Sequence, residues 1–347
     1  MALAKKIRVL VVDDSLVMRE YIAQGLSQDS GIEVVGKAAD PYQARDMIQD
    51  LEPDVLTVDV EMPRMNGIEF LRQLMPQYPL PVVVVSSMSD AVFDALNAGA
   101  VDFVTKPVAK SPRDMQAFVQ EMVVKIKIAS TAKVGRFKRA EPRAAGATVN
   151  AAAAADTLIA IGASTGGTEA IYSIIKTFPR DMPGVVIVQH MPPVFTRMYA
   201  ERLNNDCAME VREAQEGDVV SRGLVLIAPG GERQMRVVYQ GGAYRIRLSE
   251  GPKVSGHCPS VDVMFDSVAD AAKAKAVGIL LTGMGADGAK GLLKMRRNGA
   301  YTIGQDERSS VVYGMPMVAY NSGAVTKQAA LEDIPRVLEA YLLNTKK

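Results

Sequence analysis

The chain has 347 residues, 48% of them hydrophobic, and its 40 Lys and Arg balance 39 Asp and Glu to a formal charge of +1. That length is long for one domain and comfortable for two, and the apolar share suffices for sizeable cores. A charge this close to zero argues against bulk attraction to nucleic acid or an anionic membrane. The two cysteines, Cys207 and Cys258, are too few for a disulfide framework, and no closely spaced Cys or His pair points to zinc. Apolar runs such as Val82–Val85 and Ile279–Leu281 fall far short of a membrane span. Lys5 and Lys6 lead straight into a strand, unlike a signal peptide. The expectation is a cytoplasmic protein with no membrane insertion and no nucleic-acid partner.

From residue 1 to 127, apolar runs alternate with segments of helical period, which predicts a parallel sheet covered by helices on both faces. Ile7–Val12 ends in Asp13-Asp14, and Val55–Val58 ends in Asp59, followed by Glu61 and later Asn66-Gly67. Val82–Val85 ends in Ser86-Ser87, and Val101–Thr105 ends in Lys106-Pro107. In a doubly wound sheet these ends share one rim, where sites form. Three carboxylates, a hydroxyl and an ammonium therefore meet. Crowded acids raise one another's pKa unless a cation sits among them. Hard oxygen ligands favour Mg²⁺ over zinc. A carboxylate between Mg²⁺ and a lysine is suited to accept a phosphoryl group. Any one of these pairs alone is an ordinary solvated strand end; four in the right order are not.

The motifs VVDDS (11–15), DVEMPRMNG (59–67), VVSS (84–87) and AGAVDFVTKP (98–107) resemble a two-component receiver domain of flavodoxin-like fold. The resemblance implies Asp59 as phosphoacceptor, with Asp14, Asp59 and the Glu61 carbonyl around Mg²⁺ and Asp13 in the acidic pocket. It implies Ser86 as the switch hydroxyl, Lys106 as the phosphate contact and a histidine kinase as phosphodonor. It also implies a cis Lys106-Pro107 bond, and it puts Phe103 in the place of the switch aromatic, a position that reads equally well as a core residue of its strand. The stretch 88–93 is short for the loop and helix of that family.

A helical pattern over Met115–Ile128 is followed by a change of character. Residues 128–155 carry Lys133, Arg136, Lys138, Arg139 and Arg143 and the alanine run 151–155, without a sustained amphipathic face. They read as an interdomain tether. Five basic charges with a single aromatic, Phe137, read as solvated linker rather than a nucleic-acid tail, and no helix-turn-helix pattern follows.

The second domain, 156–347, returns to strand-helix alternation. Leu158–Ile161 runs into Gly162-Ala163-Ser164-Thr165-Gly166, a G-x-S-x-G turn of the kind that lifts a serine hydroxyl out of a sheet. The same turn also fits a glycine-rich phosphate loop opening a helix. Val185–Val188 stops at Gln189-His190, and Ala276–Leu281 stops at Thr282-Gly283-Met284-Gly285-Ala286-Asp287-Gly288. If these strands are parallel neighbours, Ser164, His190 and Asp287 share a rim as nucleophile, general base and orienting acid. The chain order Ser, His, Asp differs from the Ser, Asp, His of α/β-hydrolases. His257, in a loop rich in Gly, Pro and Ser, is the rival base, and Cys258 beside it reads as a small buried residue. TGMGADG lacks the ending of a P-loop. The Thr165 N–H and a group near Met284 are the candidate oxyanion donors.

IGASTGG (161–167), VQHMPP (188–193), PSVDV (259–263), LTGMGADGA (281–289) and VVYGMP (311–316) resemble the catalytic domain of chemotaxis protein-glutamate methylesterases, the CheB type. The architecture implied is two doubly wound α/β domains, flavodoxin-like and then Rossmann-like, joined by a flexible linker. The activity implied is hydrolysis of glutamate γ-methyl esters on chemoreceptor helices, with glutamine deamidation, by Ser164, His190 and Asp287. No metal is needed for that step. Arginine is expected at position 258, where this chain has Cys258; Lys253 is the nearby candidate for its role. A regulatory reading goes with it, in which the unphosphorylated receiver restricts access to Ser164. The alternative is a catalytically inactive receiver-linked docking regulator.

Overall fold

The structure is a computed structural model that describes residues 5–87, 90–108, 111–135 and 157–344. Most of the expected tether, including Arg136, Lys138, Arg139, Arg143 and the alanine run, lies outside the described residues. Contacts divide the chain into two units, Met1–Phe137 and Lys138–Lys347.

The first unit runs β1 (Ile7–Val12), α1 (Leu16–Leu26), β2 (Ile32–Ala38), α2 (Pro41–Leu51), β3 (Val55–Asp59), α3 (Gly67–Gln77), β4 (Val82–Ser86), α4 (Ala91–Asn97), β5 (Asp102–Thr105) and α5 (Pro112–Ala129). Its strands are parallel in the order β2-β1-β3-β4-β5. The inner strands β3 and β4 are buried at every position, which is why they read as unbroken apolar runs. Several helix starts are written locally. Ser15, Asp40, Asn66 and Ser111 each accept a first-turn backbone N–H, capping α1, α2, α3 and α5. Each such cap contributes about 1 kcal/mol.

Two expectations shift, at the start of α5 and at Lys106-Pro107, and one feature agrees. Ser111 and Pro112 start α5 three residues earlier than its apolar period suggests, because cap and N1 proline set the boundary. Helix α4 has seven residues against eleven in α1, α2 and α3, in line with the short segment after Ser87. The Lys106-Pro107 bond is trans; the cis X-Pro bond among the described residues is Cys258-Pro259. The isomers of an X-Pro bond differ by only about 0.5–1 kcal/mol, so spacing carries no signal for either.

The second unit runs β6 (Leu158–Ala163), α6 (Gly167–Ile175), β7 (Gly184–Gln189), α7 (Phe195–Asp206), β8 (Glu210–Glu213), β9 (Leu224–Ile227), β10 (Arg233–Gln240), β11 (Ala243–Glu250), α8 (Val261–Ala271), β12 (Ala276–Leu280), α9 (Ala289–Arg297), β13 (Tyr301–Gln305), α10 (Met315–Asn321), β14 (Lys327–Ala329) and α11 (Ile334–Asn344). Seven parallel strands lie in the order β14-β13-β12-β6-β7-β9-β8. Both units are thus doubly wound parallel sheets, as expected. Strand β6 sits at the centre, flanked by β12 and β7, so the three strands expected to carry Ser164, His190 and Asp287 are adjacent.

The antiparallel hairpin β10–β11 is an element the alternating pattern did not anticipate. Its inner side chains Met235, Val237 and Ile246 join the core with Phe265, Val268 and Ala269 of α8. The Val237 N–H donates to Ser267 Oγ at 2.9 Å. The hairpin thereby fixes α8, and α8 in turn sets part of the site.

Candidate active site and phosphoacceptor pocket

In the first unit, the ends of β1 and β3 bring Asp13, Asp14 and Asp59 together, with one carboxylate oxygen from each within 4.8 Å of the others. Asp13 and Asp59 are buried, whereas Asp14 is exposed. Lys106 Nζ donates to Asp59 Oδ2 at 2.6 Å and stands 3.5 Å from Asp13 Oδ2. The longer contact is an ion pair, and Asp13 Oδ2 is buried without a hydrogen-bond partner. The remaining oxygens have partners: Asp13 Oδ1 accepts from the Ser15 N–H at 2.9 Å, and Asp59 Oδ1 from the Glu61 N–H at 3.2 Å.

Burial pushes the Asp59 carboxyl up to about 6, with Lys106 pulling it down and Asp13 pushing it further up. Burial likewise raises Asp13 against the pull of Lys106. An all-oxygen cluster with one orphaned carboxylate oxygen fits a hard divalent cation, which would supply the missing charge. Ser86 Oγ, at the end of β4, is buried without a hydrogen-bond partner. The Glu61 side chain is exposed and hydrogen-bonded to Ser87 Oγ. Arg19, which sequence reasoning passed over, donates from Nη1 to the carbonyls of Asp13 at 2.6 Å and Asp14 at 3.4 Å. It sits one helical turn into α1, so no motif marks it. Phe103 is buried on β5, with Lys125 Nζ 4.7 Å from its ring centroid.

In the second unit, β6 pairs with β7 so that Ala163 faces Gln189, and the His190 N–H donates to Ala163 O at 3.2 Å. Ser164 and His190 are therefore the first residues beyond two neighbouring strands. On the other side, the Ser164 N–H donates to Thr282 O at 3.0 Å, just past β12. A Cβ on Gly283 would fall 2.7 Å from Ser164 Cβ, so only glycine lets the β12 loop lie against the serine. Met284, next in that loop, is 42% exposed, while Thr165 is buried.

The same loop carries Asp287 back under His190, whose Nε2 is 2.8 Å from Asp287 Oδ2. Asp287 is 1% exposed. Its carboxylate also accepts from Ser260 Oγ at 2.7 Å and from the N–H groups of Val261 (2.8 Å), Asp262 (3.0 Å) and Gly288 (3.1 Å). Val261 and Asp262 open α8, so the carboxylate sits on a helix N-terminus. Burial alone would raise its pKa. The contact with His190 and the converging donors outweigh that and hold it below the usual carboxylate range. An ionised Asp287 then selects the His190 tautomer with its proton on Nε2. Nδ1 is left with its lone pair, buried and without a hydrogen-bond partner.

The two histidines of the chain meet here. The His257 ring stacks on His190 with centroids 3.6 Å apart and planes 9° apart. Burial, then the charge that His190 can carry and that of Lys253, depress His257 to about 4, against the opposing pull of Asp287. It is neutral at physiological pH and touches the base through its face. Its main chain is fixed by paired N–H to C=O bonds with Val254 at 2.9 and 3.0 Å. Burial pushes the Cys258 thiol up, which makes it a poor nucleophile. Lys253 is exposed.

The depressed His257 has a measurable consequence. An unfolded histidine titrates near 6.5, so between pH 6.5 and 4 the unfolded chain binds the extra proton. Stability contributed by the neutral ring is complete above pH 6.5 and is lost as pH falls towards 4. His257→Phe keeps a stacked ring without the proton site. Between pH 7 and 4.5 it is expected to lose about 2–3 kcal/mol less stability than the parent in urea unfolding of the second unit. Equal losses would show that His257 is not held neutral.

Comparison with known proteins assigns both units to described families. Residues 159–338 match the family model described as CheB methylesterase, and residues 9–119 match the response regulator receiver domain. A protein-glutamate methylesterase/protein-glutamine glutaminase 2 from Syntrophomonas wolfei subsp. wolfei is 60% identical over 334 residues, 96% of this chain and 97% of that protein. The protein-glutamate methylesterase/protein-glutamine glutaminase of Syntrophotalea carbinolica is 55% identical over 96% of this chain and 98% of its own length. The crystal structure of the Thermotoga maritima CheB methylesterase catalytic domain covers 53% of this chain and 98% of its own, at 35% identity and a TM-score of 0.52. With both of its α/β units matched, and with relatives alike over nearly their full length, the chain belongs to the CheB methylesterase family and carries a response regulator receiver domain ahead of the methylesterase domain.

Proposed function

We propose that this chain is a phosphorylation-regulated protein-glutamate methylesterase acting on methylated chemoreceptor helices in the cytoplasm, with glutamine deamidation by the same site. Residues 1–127 are the phosphoacceptor domain, 128–155 the tether and 156–347 the hydrolytic domain. The observation that carries the reading is the buried His190–Asp287 contact, with the second ring nitrogen buried and unpaired on a residue whose main-chain N–H is hydrogen-bonded to Ala163, next to Ser164. A serine, a base with a fixed tautomer and an ionised acid are the parts of nucleophilic acyl transfer.

In the reaction, His190 Nδ1 takes the Ser164 hydroxyl proton as Oγ attacks the γ-ester carbonyl. The Thr165 N–H and the Met284 main chain hold the oxyanion. The proton passes from His190 to the departing methoxide, and methanol leaves a glutamyl ester on Ser164. Water then gives a proton to His190 and its hydroxide to that ester, releasing the glutamate and regenerating Ser164. For a glutamine side chain the leaving group is ammonia. Asp287 stays ionised throughout and stabilises the imidazolium.

In the first domain, Asp59 takes a phosphoryl group from a histidine kinase. Lys106, with Asp13 and Ser86 beside it, sets the electrostatics and hydrogen bonding of the acceptor. Asp14, Asp59 and the Glu61 carbonyl would hold Mg²⁺, whose chemistry there is to neutralise charge on the transferring phosphoryl oxygens. Phosphorylation shifts the population towards a more active form.

The test is methanol release from methylated chemoreceptor by the full chain, with and without acetyl phosphate and Mg²⁺. Turnover that requires Ser164 and rises with the phosphodonor supports the reading. An inert wild type under all conditions would overturn it in favour of a docking regulator.

A further inference from the structure

Gln189 closes β7 with a side chain only 4% exposed, and no step above uses it. Its Nε2 donates to two backbone carbonyls, Ser164 O at 2.9 Å and His190 O at 3.2 Å. One amide thus ties the turn of the nucleophile to the residue of the base. The opposite amide assignment is excluded by its own geometry, since Oε1 would then face two carbonyl oxygens. As placed, Oε1 is buried with no hydrogen-bond partner. It is wedged where a Cβ on Gly167 would come within 2.1 Å of it. A residue needed only to fill this space would be better apolar, because a buried unpartnered oxygen destabilises the fold. The donor is what Gln189 provides.

That donor acts on the chemistry through a peptide plane. In a trans peptide the C=O and N–H vectors are antiparallel. The Ser164 carbonyl is held by Gln189 and by the Gly167 N–H at 2.7 Å, so the direction of the Thr165 N–H is set from behind. The following peptide is held by Thr282, whose Oγ1 donates to Thr165 O at 3.0 Å. Gly166 at φ 75° completes the turn.

We propose that Gln189 is a positioning residue for ester hydrolysis. It aims the Thr165 N–H at the oxyanion and keeps the His190 backbone beside Ser164. The inference rests on the hydrolase reading of Ser164 and Thr165.

Its test is Gln189→Met in the full chain, with kcat and KM for methyl ester hydrolysis measured separately. An oxyanion donor removed outright costs about 10²–10³ in kcat. A donor left in place but loosely aimed is expected to cost roughly 30- to 100-fold, with KM within about twofold. Inhibition by a phosphonate that forms a tetrahedral adduct on Ser164 should slow in parallel. Should Gln189→Met fail to fold, Gln189→Glu carries the test, since it keeps the shape and replaces the donor by an acceptor. A kcat within threefold of wild type, or a loss confined to KM, overturns the proposal while the esterase reading stands. A wild type with no Ser164-dependent turnover would instead sink the esterase reading itself.

Discussion

Ser164→Ala is expected to lower methanol release by roughly 10⁵- to 10⁶-fold, the scale of losing the nucleophile from a three-part hydrolytic site. Asp287→Asn is expected to cost about 10⁴-fold, although it changes a single atom. The reason lies in what surrounds that atom. Five groups converge on the Asp287 carboxylate: His190 Nε2, Ser260 Oγ and the N–H groups of Val261, Asp262 and Gly288. An asparagine amide offers one oxygen and one NH₂ to a set in which the three backbone N–H groups can only donate, while Ser260 Oγ and His190 Nε2 can do either. If the oxygen keeps the Oδ1 partners Ser260, Asp262 and Gly288, the NH₂ faces the Val261 N–H and His190, and favours the tautomer with its lone pair on Nε2. Nδ1 then carries a proton and cannot accept one from Ser164. If the oxygen faces His190, buried N–H donors at the helix start lose their acceptor, at about 1–3 kcal/mol each. Activity and urea stability of the two variants should therefore separate. Ser164→Ala loses activity with little change in stability, and Asp287→Asn loses both. An Asp287→Asn enzyme within tenfold of wild type would show that His190 needs no buried acid.

How much of this was legible in advance follows from where each interaction lives. The strand ends were readable because a fully buried parallel strand is an apolar run that must stop where polar residues begin, as at Asp59, Ser86 and His190. That Ser164, His190 and Asp287 share one rim required only the strand order β12-β6-β7. The surroundings of Asp287 were not readable. Ser260 and Val261 lie 27 and 26 residues away along the chain, and nothing local says that a helix start will meet that loop. The stacking of His257 on His190 belongs to the same class: as a sequence the two are rival bases, and the structure makes them neighbours. The hairpin β10–β11 was within reach, since Gly241-Gly242 between alternating apolar positions is a turn signal. The βα alternation on either side masks it. Its consequence is functional, because it holds α8, whose N-terminus holds Asp287.

Asp59→Asn is expected to abolish incorporation of acid-labile phosphate from acetyl phosphate, and to reduce the phosphodonor-stimulated hydrolytic rate to the unstimulated one. Three acids stand in the pocket, so the choice among them needs a physical ground. Asp14 is exposed and Asp13 is buried, with Oδ1 engaged by the Ser15 N–H. Asp59 alone of the three receives a direct hydrogen bond from Lys106 Nζ, at 2.6 Å. An ammonium in that position neutralises charge as a phosphoryl group arrives. Desolvation has already lifted the Asp59 carboxyl to about 6, so its anion is poorly solvated and more basic than an ordinary carboxylate. The carboxamide of the Asp59→Asn variant has no anionic oxygen to attack phosphorus, and neither neighbour can replace it without leaving the cluster. Lys106→Ala should leave the acceptor oxygen in place and slow uptake without abolishing it, and removal of Mg²⁺ by EDTA should block uptake in both wild type and Lys106→Ala. Phosphate that persists in Asp59→Asn and is mapped to Asp13 or Asp14 would move the acceptor to the end of β1. Phosphate lost from Asp59→Asn with stimulation intact would break the link between this pocket and the hydrolytic site.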